Sequence, residues 1–91
     1  MTDLEISKAL ALAIGWGKAD LLLYPEHLVI LPLMRRFDYR DWNVIGPIAE
    51  KYDAFPYQTH NGTWTVGWTT GPAYVTPQKA IALAVIQGAK K

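Results

Sequence analysis

The dipeptide Asn61-Gly62 sits between two aromatic, alternating segments, residues 55–60 and 63–68. Asn-Gly is the pair best suited to a two-residue turn with positive φ at both positions, so FPYQTHNGTWTVGW predicts a β-hairpin. That turn pairs Thr59 with Trp64, Tyr57 with Val66 and Phe55 with Trp68, all on one face. Pro56 has no N–H to give the ladder opposite Gly67, so pairing weakens there or that side lies at an edge. Thr63, Thr65, Gly67 and Thr69 make up the opposite, mildly polar face.

Three helices flank this hairpin in the sequence pattern. Thr2-Asp3-Leu4-Glu5 has capping-box spacing, and Ile6, Leu10, Ala13 and Ile14 then recur on one helical face. They predict a helix over 3–14, closed by Gly15 in a left-handed conformation with Trp16 folded back on the last turn. Asp41, or Asp38 a turn earlier, caps a second helix with Trp42, Ile45, Ile48, Ala49 and Tyr52 on its apolar face, and Trp42 reads as buried. Pro47 removes an N–H inside that helix, which predicts a kink or one-turn break near Gly46. Thr76-Pro77 supplies an N-cap and a first-turn proline for a third helix. Residues 80–86, AIALAVI, are apolar nearly all round, so this helix is expected to be the most buried. Gly88 and the cationic Lys90-Lys91 tail close it.

Residues 20–24 and 27–31 are short and apolar, and Pro25-Glu26 separates them, which predicts two adjacent strands joined by a tight turn. Their continuous apolarity predicts burial on both faces, a pattern that a buried helix would share. Pro32 limits the second strand, residues 35–40 read as a polar connector, and 71–75 as a linker or a short fifth extended segment. The order α-β-β-α-β-β-α predicts an α+β fold, with a small antiparallel sheet of about four strands in two hairpins packed with three helices.

At 91 residues the chain is expected to form a single domain over 1–91. An apolar share of 51% in so short a chain leaves apolar surface that folding alone cannot hide, which favours a partner. A net charge of +1 gives no global pull toward nucleic acid or acidic membranes. With Cys 0 there is no disulfide, thiol nucleophile or thiolate metal site. The acidic start MTDLEISKALALAIG lacks the features of a secretory signal. The most apolar run, residues 21–34, is interrupted by Pro25, Glu26, His27 and Pro32, well short of the ~20 apolar residues of a membrane span. A soluble cytoplasmic protein that contacts no membrane is therefore expected.

No constellation for catalysis, cofactor or metal binding emerges. His27 and His60 lack neighbours at metal-ligand spacing and read as turn or surface residues. Asp38 and Asp41 flank Arg40 and read as capping and ion-pairing groups rather than an acid/base pair. Gly15-Trp16-Gly17-Lys18 follows a helix rather than a strand and lacks both the Walker spacing and a hydroxyl after the lysine, so it is not a phosphate loop. Ser7, the only serine, lies within the first helix. The best candidate surface is the basic and aromatic cluster of Arg35, Arg36, Phe37, Tyr39 and Arg40, although the structural reading, with Phe37 as a core staple before the second helix, is the stronger one. Asp38 and Asp41 offset much of its charge.

The succession AIGW, FDYRDWNVIGPIAEKY, an aromatic NGTW hairpin and TPQKAIALAVI resembles small tailed-phage and prophage proteins of the phage ABA sandwich domain family. There is a weaker likeness to NinX-like phage proteins of unknown function. The shared positions are structural: Gly15-Trp16, Asp41-Trp42, Gly46-Pro47, Glu50-Lys51-Tyr52, Gly62 with Trp64, Pro77, and Ala80-Ile81. The resemblance implies a phage accessory protein made in the host bacterial cytoplasm, and a helix/sheet/helix layering. It further implies action by protein–protein interaction, on a host or phage protein, which includes inhibition of a host factor or defence system. The alternative expectation is a nucleic-acid-binding accessory protein that uses Arg35, Arg36, Arg40 and Lys51. Self-association as a homo-oligomer is compatible with either, through the Val66 and Trp68 strand or an edge near Pro56.

Overall fold

The computed structural model describes residues 2–68 and 73–89. Helix α1 (Asp3–Ala13) opens on the expected capping box: the Glu5 amide donates to Thr2 Oγ1 at 3.1 Å and the Thr2 amide to Glu5 Oε1 at 2.9 Å. It closes as expected too, with Gly15 at φ +111°. The Trp16 amide reaches Ala11 O at 3.1 Å and the Gly15 amide Leu12 O at 3.2 Å, the paired bonds of a Schellman ending.

Strands β1 (Leu21–Leu23) and β2 (Leu28–Ile30) pair antiparallel with Leu22 opposite Val29, and the turn between them closes with the Tyr24 amide on His27 O at 2.8 Å. Burial is not two-sided: Leu28 and Ile30 are buried, whereas Leu22, Leu23 and Tyr24 are exposed. Strand β1 is the outer strand of its sheet, with a neighbouring strand on one side only. Pro32 ends β2 in a single turn of 3-10 helix, residues 31–33. Met34 then adopts φ +53°, which turns the chain back. The expected polar connector therefore begins as a strand, β3 (Arg35–Arg36), paired with β2.

Helix α2 (Trp42–Tyr52) is capped by Asp41, which accepts from the Asn43 amide at 2.9 Å. It runs through Pro47 without the expected break. Gly46 explains part of this tolerance: a residue before proline is pushed out of the helical region by clashes of its N–H and its Cβ with the proline ring, and glycine has no Cβ. The carbonyl that loses its donor belongs to Asn43, which is exposed, so water can replace the missing bond. Trp42, expected to be buried, is 52% exposed at the first position of the helix. Asp53 takes the left-handed position that ends α2, at φ +52°.

The hairpin of β4 (Pro56–Gln58) and β5 (Trp64–Val66) forms where expected but one residue out of register. Pro56 lies opposite Val66, Tyr57 opposite Thr65 and Gln58 opposite Trp64. The loop has three residues, 60–62, and only Gly62 has positive φ, at +81°. The Gly62 amide donates to Thr59 O at 3.0 Å and the Thr59 amide to Thr63 O at 2.7 Å, a type I turn followed by a glycine bulge. Side chains hold this wider loop: the Thr59 and Thr63 hydroxyls meet at 2.7 Å, and Gln58 Nε2 donates to Gly62 O.

The register also suits Pro56. Trp64 spends both of its backbone groups on Tyr74, at 2.7 and 2.8 Å, so the Gln58–Trp64 pair carries no ladder bonds. By alternation the Pro56–Val66 pair carries none either, and the missing proline N–H costs nothing. The slip inverts β4, leaving Phe55 and Tyr57 in solvent while Val66 stays in the core. Tyr74 supplies the extra extended contact expected within 71–75; Thr69 of the hairpin face, residues 71–72 and the Lys90-Lys91 tail lie outside the described residues.

Helix α3 (Pro77–Ala89) starts at Thr76, whose hydroxyl accepts from the Lys79 amide at 3.2 Å. It is the hub of the core, touching α1, α2 and both strands of the hairpin. Ala80, Ile81, Ala82, Ala84, Val85 and Ile86 are all buried, as their all-round apolarity predicts. The α+β class and the α-β-β-α-β-β-α order hold. The short β3 is added, and the strands divide between a three-stranded and a two-stranded sheet.

Candidate interaction site

The five residues of the expected basic and aromatic surface separate in the fold. Phe37 and Tyr39 are in the core, 7% and 2% exposed, which removes them as contact residues. The reason is local. Once β3 pairs with β2, the Phe37 amide donates to Leu28 O at 2.8 Å, and the chain is carried inward across α1. There the Tyr39 amide donates to Ser7 Oγ at 3.1 Å and its hydroxyl to Asp3 Oδ1 at 2.5 Å. Burial first, and then the Asp3 carboxylate, hold the Tyr39 phenol well above its ordinary pKa.

Arg40 is exposed but occupied. Its Nη2 lies 2.8 Å from Asp38 Oδ2 and its Nη1 3.2 Å from Asp3 Oδ2. The hydrogen bonds from Arg40 hold the Asp38 carboxyl below the usual carboxylate range, and Asp38 in turn raises Arg40. This cluster joins the α1 start to the segment before α2, and its charge is satisfied internally.

Arg35 and Arg36 remain. Both are exposed on β3, and neither forms an ion pair among the described residues. They rim a shallow groove of about 240 Å³ between the β2–β3 connection and α2. Ile30, Phe37 and Ile48 form its floor; Trp16, Leu33, Val44 and Pro47 form its walls. Leu31, Leu33 and Met34 project from the adjoining turn, and Met34 is 79% exposed. Among the described residues the groove lining contains no carboxylate, imidazole, thiol or hydroxyl.

Two residues that break local rules border this groove. Met34 holds a left-handed backbone that costs an ordinary side chain about 1–2 kcal/mol. Pro47 sits inside a helix, where it is about 3 kcal/mol less favourable than alanine. The sequence pattern gives Trp16 and Pro47 only structural roles and does not single out Leu33, Met34 or Val44. The signals were present as Leu-Pro-Leu-Met before a pair of arginines, and as the proline that the helix pattern rejects.

Elsewhere, a larger open hollow of about 440 Å³ is lined by Asp3, Tyr39, Arg40, Tyr74 and Lys79, and its main charges belong to the Arg40 cluster. His27 stacks on Tyr24 with ring centres 4.4 Å apart, and His60 is exposed at the hairpin tip. No group of three His, Cys, Asp or Glu residues able to hold a metal occurs among the described residues. No described helix is long and apolar enough to cross a membrane. Comparisons of the chain with protein-family models, with curated proteins and with solved structures each return no match.

Proposed function

We propose that the protein is a non-enzymatic interaction module that grips an apolar side chain flanked by carboxylates on a partner protein. The observation that carries this reading is the apolar groove with two arginines on its rim that form no ion pair among the described residues. An apolar anchor inserted between Trp16, Val44 and Pro47 would lose water on most of its surface, and hot spots form in such desolvated pockets. Each guanidinium presents a planar fork that matches a carboxylate in bidentate geometry. Exposed methionine and leucine at the rim suit a surface that adapts to its partner. Two locally unfavourable backbone choices beside one groove are the pattern expected where function opposes stability. The setting comes from the sequence resemblance: a phage or prophage accessory protein acting in the host cytoplasm on a host factor or defence component.

Nucleic-acid binding is less well supported. Adjacent exposed arginines suit phosphates, but Phe37 and Tyr39 are withdrawn from the surface where they would stack on bases. A yeast-displayed random peptide library sorted against the protein tests the proposal. The expected winners carry an aromatic or aliphatic residue beside Asp or Glu, and lose binding when Arg35→Glu and Arg36→Glu are combined. Winners indifferent to that reversal would overturn it, as would tight, steeply salt-dependent binding to a single-stranded oligonucleotide with no peptide enrichment.

A further inference from the structure

The three-stranded sheet ends in two unlike edges. On one, β3 presents two arginines, charges of the kind that keep an edge from pairing. On the other, β1 is Leu-Leu-Leu, with Leu22 and Leu23 exposed and no lysine, proline or bulge within the strand. The hydrogen-bond alternation fixes what this bare edge offers. Tyr24 turns its amide to His27, so Leu22 faces β2 while Leu21 and Leu23 face outward. The Leu21 amide is already taken by Lys18 O. The Leu23 N–H and the carbonyls of Leu21 and Leu23 have no partner among the described residues.

We propose that this edge pairs antiparallel with the β1 edge of a second copy of the chain, with the two-fold axis at Leu22. Each Leu23 N–H then donates to the Leu21 carbonyl across the axis. Leu21 and Leu23 share the sheet face of Ile30 and Leu28, so in the dimer Leu21 lies beside Leu23 of the second copy and the core face continues across the interface. Leu22 meets its own counterpart on the other face. Charge selects both the occupant and the register. The 24–27 turn of one copy comes against the 18–20 turn of the other, setting Glu26 beside Lys18 at both ends. Neither residue has an ion pair among the described residues. Asp20, which is nearby, directs its carboxylate back to the Gly17 amide at 3.1 Å. A two-residue shift would instead oppose Leu21 to Pro25 and Asp20 to Glu26, losing a bond site and setting like charges together.

Sedimentation of the full chain over a concentration series tests this independently of the groove, which lies at the β3 side of the sheet. A reversible dimer is expected. Leu23→Lys should abolish it, and Glu26→Lys should weaken it by about tenfold because two attractive pairs become repulsive. Adding Lys18→Glu to Glu26→Lys should restore the parental affinity to within about threefold. A monomer at every concentration up to about 1 mM would overturn the proposal. So would a dimer unmoved by Leu23→Lys, or one weakened by Glu26→Lys that the charge swap fails to rescue.

Discussion

Tyr39 tests whether the segment 35–40 turns inward as described. Its ring is 2% exposed and its hydroxyl donates to a carboxylate at 2.5 Å. A hydrogen bond to a charged group contributes about 1.5–3 kcal/mol. Asp3 is about half exposed and keeps Arg40, so its carboxylate is resolvated when the phenol is removed. Tyr39→Phe should therefore fall at the low end, about 1.5 kcal/mol, or roughly 6–12 °C in Tm for a domain of this size. Tyr39→Ala adds a cavity and should cost about 3–5 kcal/mol. That is a large share of the ~5–14 kcal/mol expected for the whole chain.

Urea denaturation at pH 7 reads both values, provided the m-values match that of the parent. The phenol adds a second readout. Its folded pKa lies above the unfolded value of about 10, so its contribution is whole below pH ~10 and is lost as pH rises beyond it. The parent should lose stability above pH ~10 with an increment that Tyr39→Phe lacks. If both variants lie within about 0.5 kcal/mol of the parent, as surface substitutions do, Tyr39 is not a core residue and the inward turn is refuted.

Pro47→Ala should stabilise the protein by about 2 kcal/mol: about 3 kcal/mol of helix propensity less up to ~1 kcal/mol of lost stiffness in the unfolded chain. Thermal denaturation reads it, and a loss of stability would contradict the helix through residue 47. Gly62→Ala should cost about 1–2 kcal/mol because φ is +81° there, whereas Asn61→Ala should cost under about 1 kcal/mol. Equal large losses in the two would instead indicate the two-residue turn. Asp38, whose folded pKa is depressed by Arg40, contributes stability above about pH 4 that is lost as pH falls. Both partners are substantially exposed, so Asp38→Asn should remove less than about 1 kcal/mol at pH 7 and flatten the acid limb of a Tm–pH curve.

The helices were legible because their determinants are local: the Thr2–Glu5 box, Gly15, Asp41 and Thr76-Pro77 act within a turn or two of where they stand. The hairpin was legible as a hairpin for the same reason. Its register was not, because Thr59, Thr63 and Gln58 compete with Asn61 for the geometry of the loop, and because Tyr74 claims Trp64. Strand β3 is two residues long and polar, so no periodicity announces it. Its pairing depends on the turn that Pro32 and Met34 make. That one turn decides the candidate site: it draws Phe37 and Tyr39 into the core and leaves Arg35 and Arg36 outside. The apolar run of β1 read as doubly buried because a sequence pattern does not say which strand lies at an edge.

The most direct test of the groove is capture from bacterial lysate by the tagged protein, before and after nuclease, beside the Arg35→Glu/Arg36→Glu variant at matched Tm. One stoichiometric protein that survives nuclease and is absent from the variant's eluate is the expected result. A protein partner retained equally by the variant, or recovery of nuclease-sensitive material alone, would contradict it.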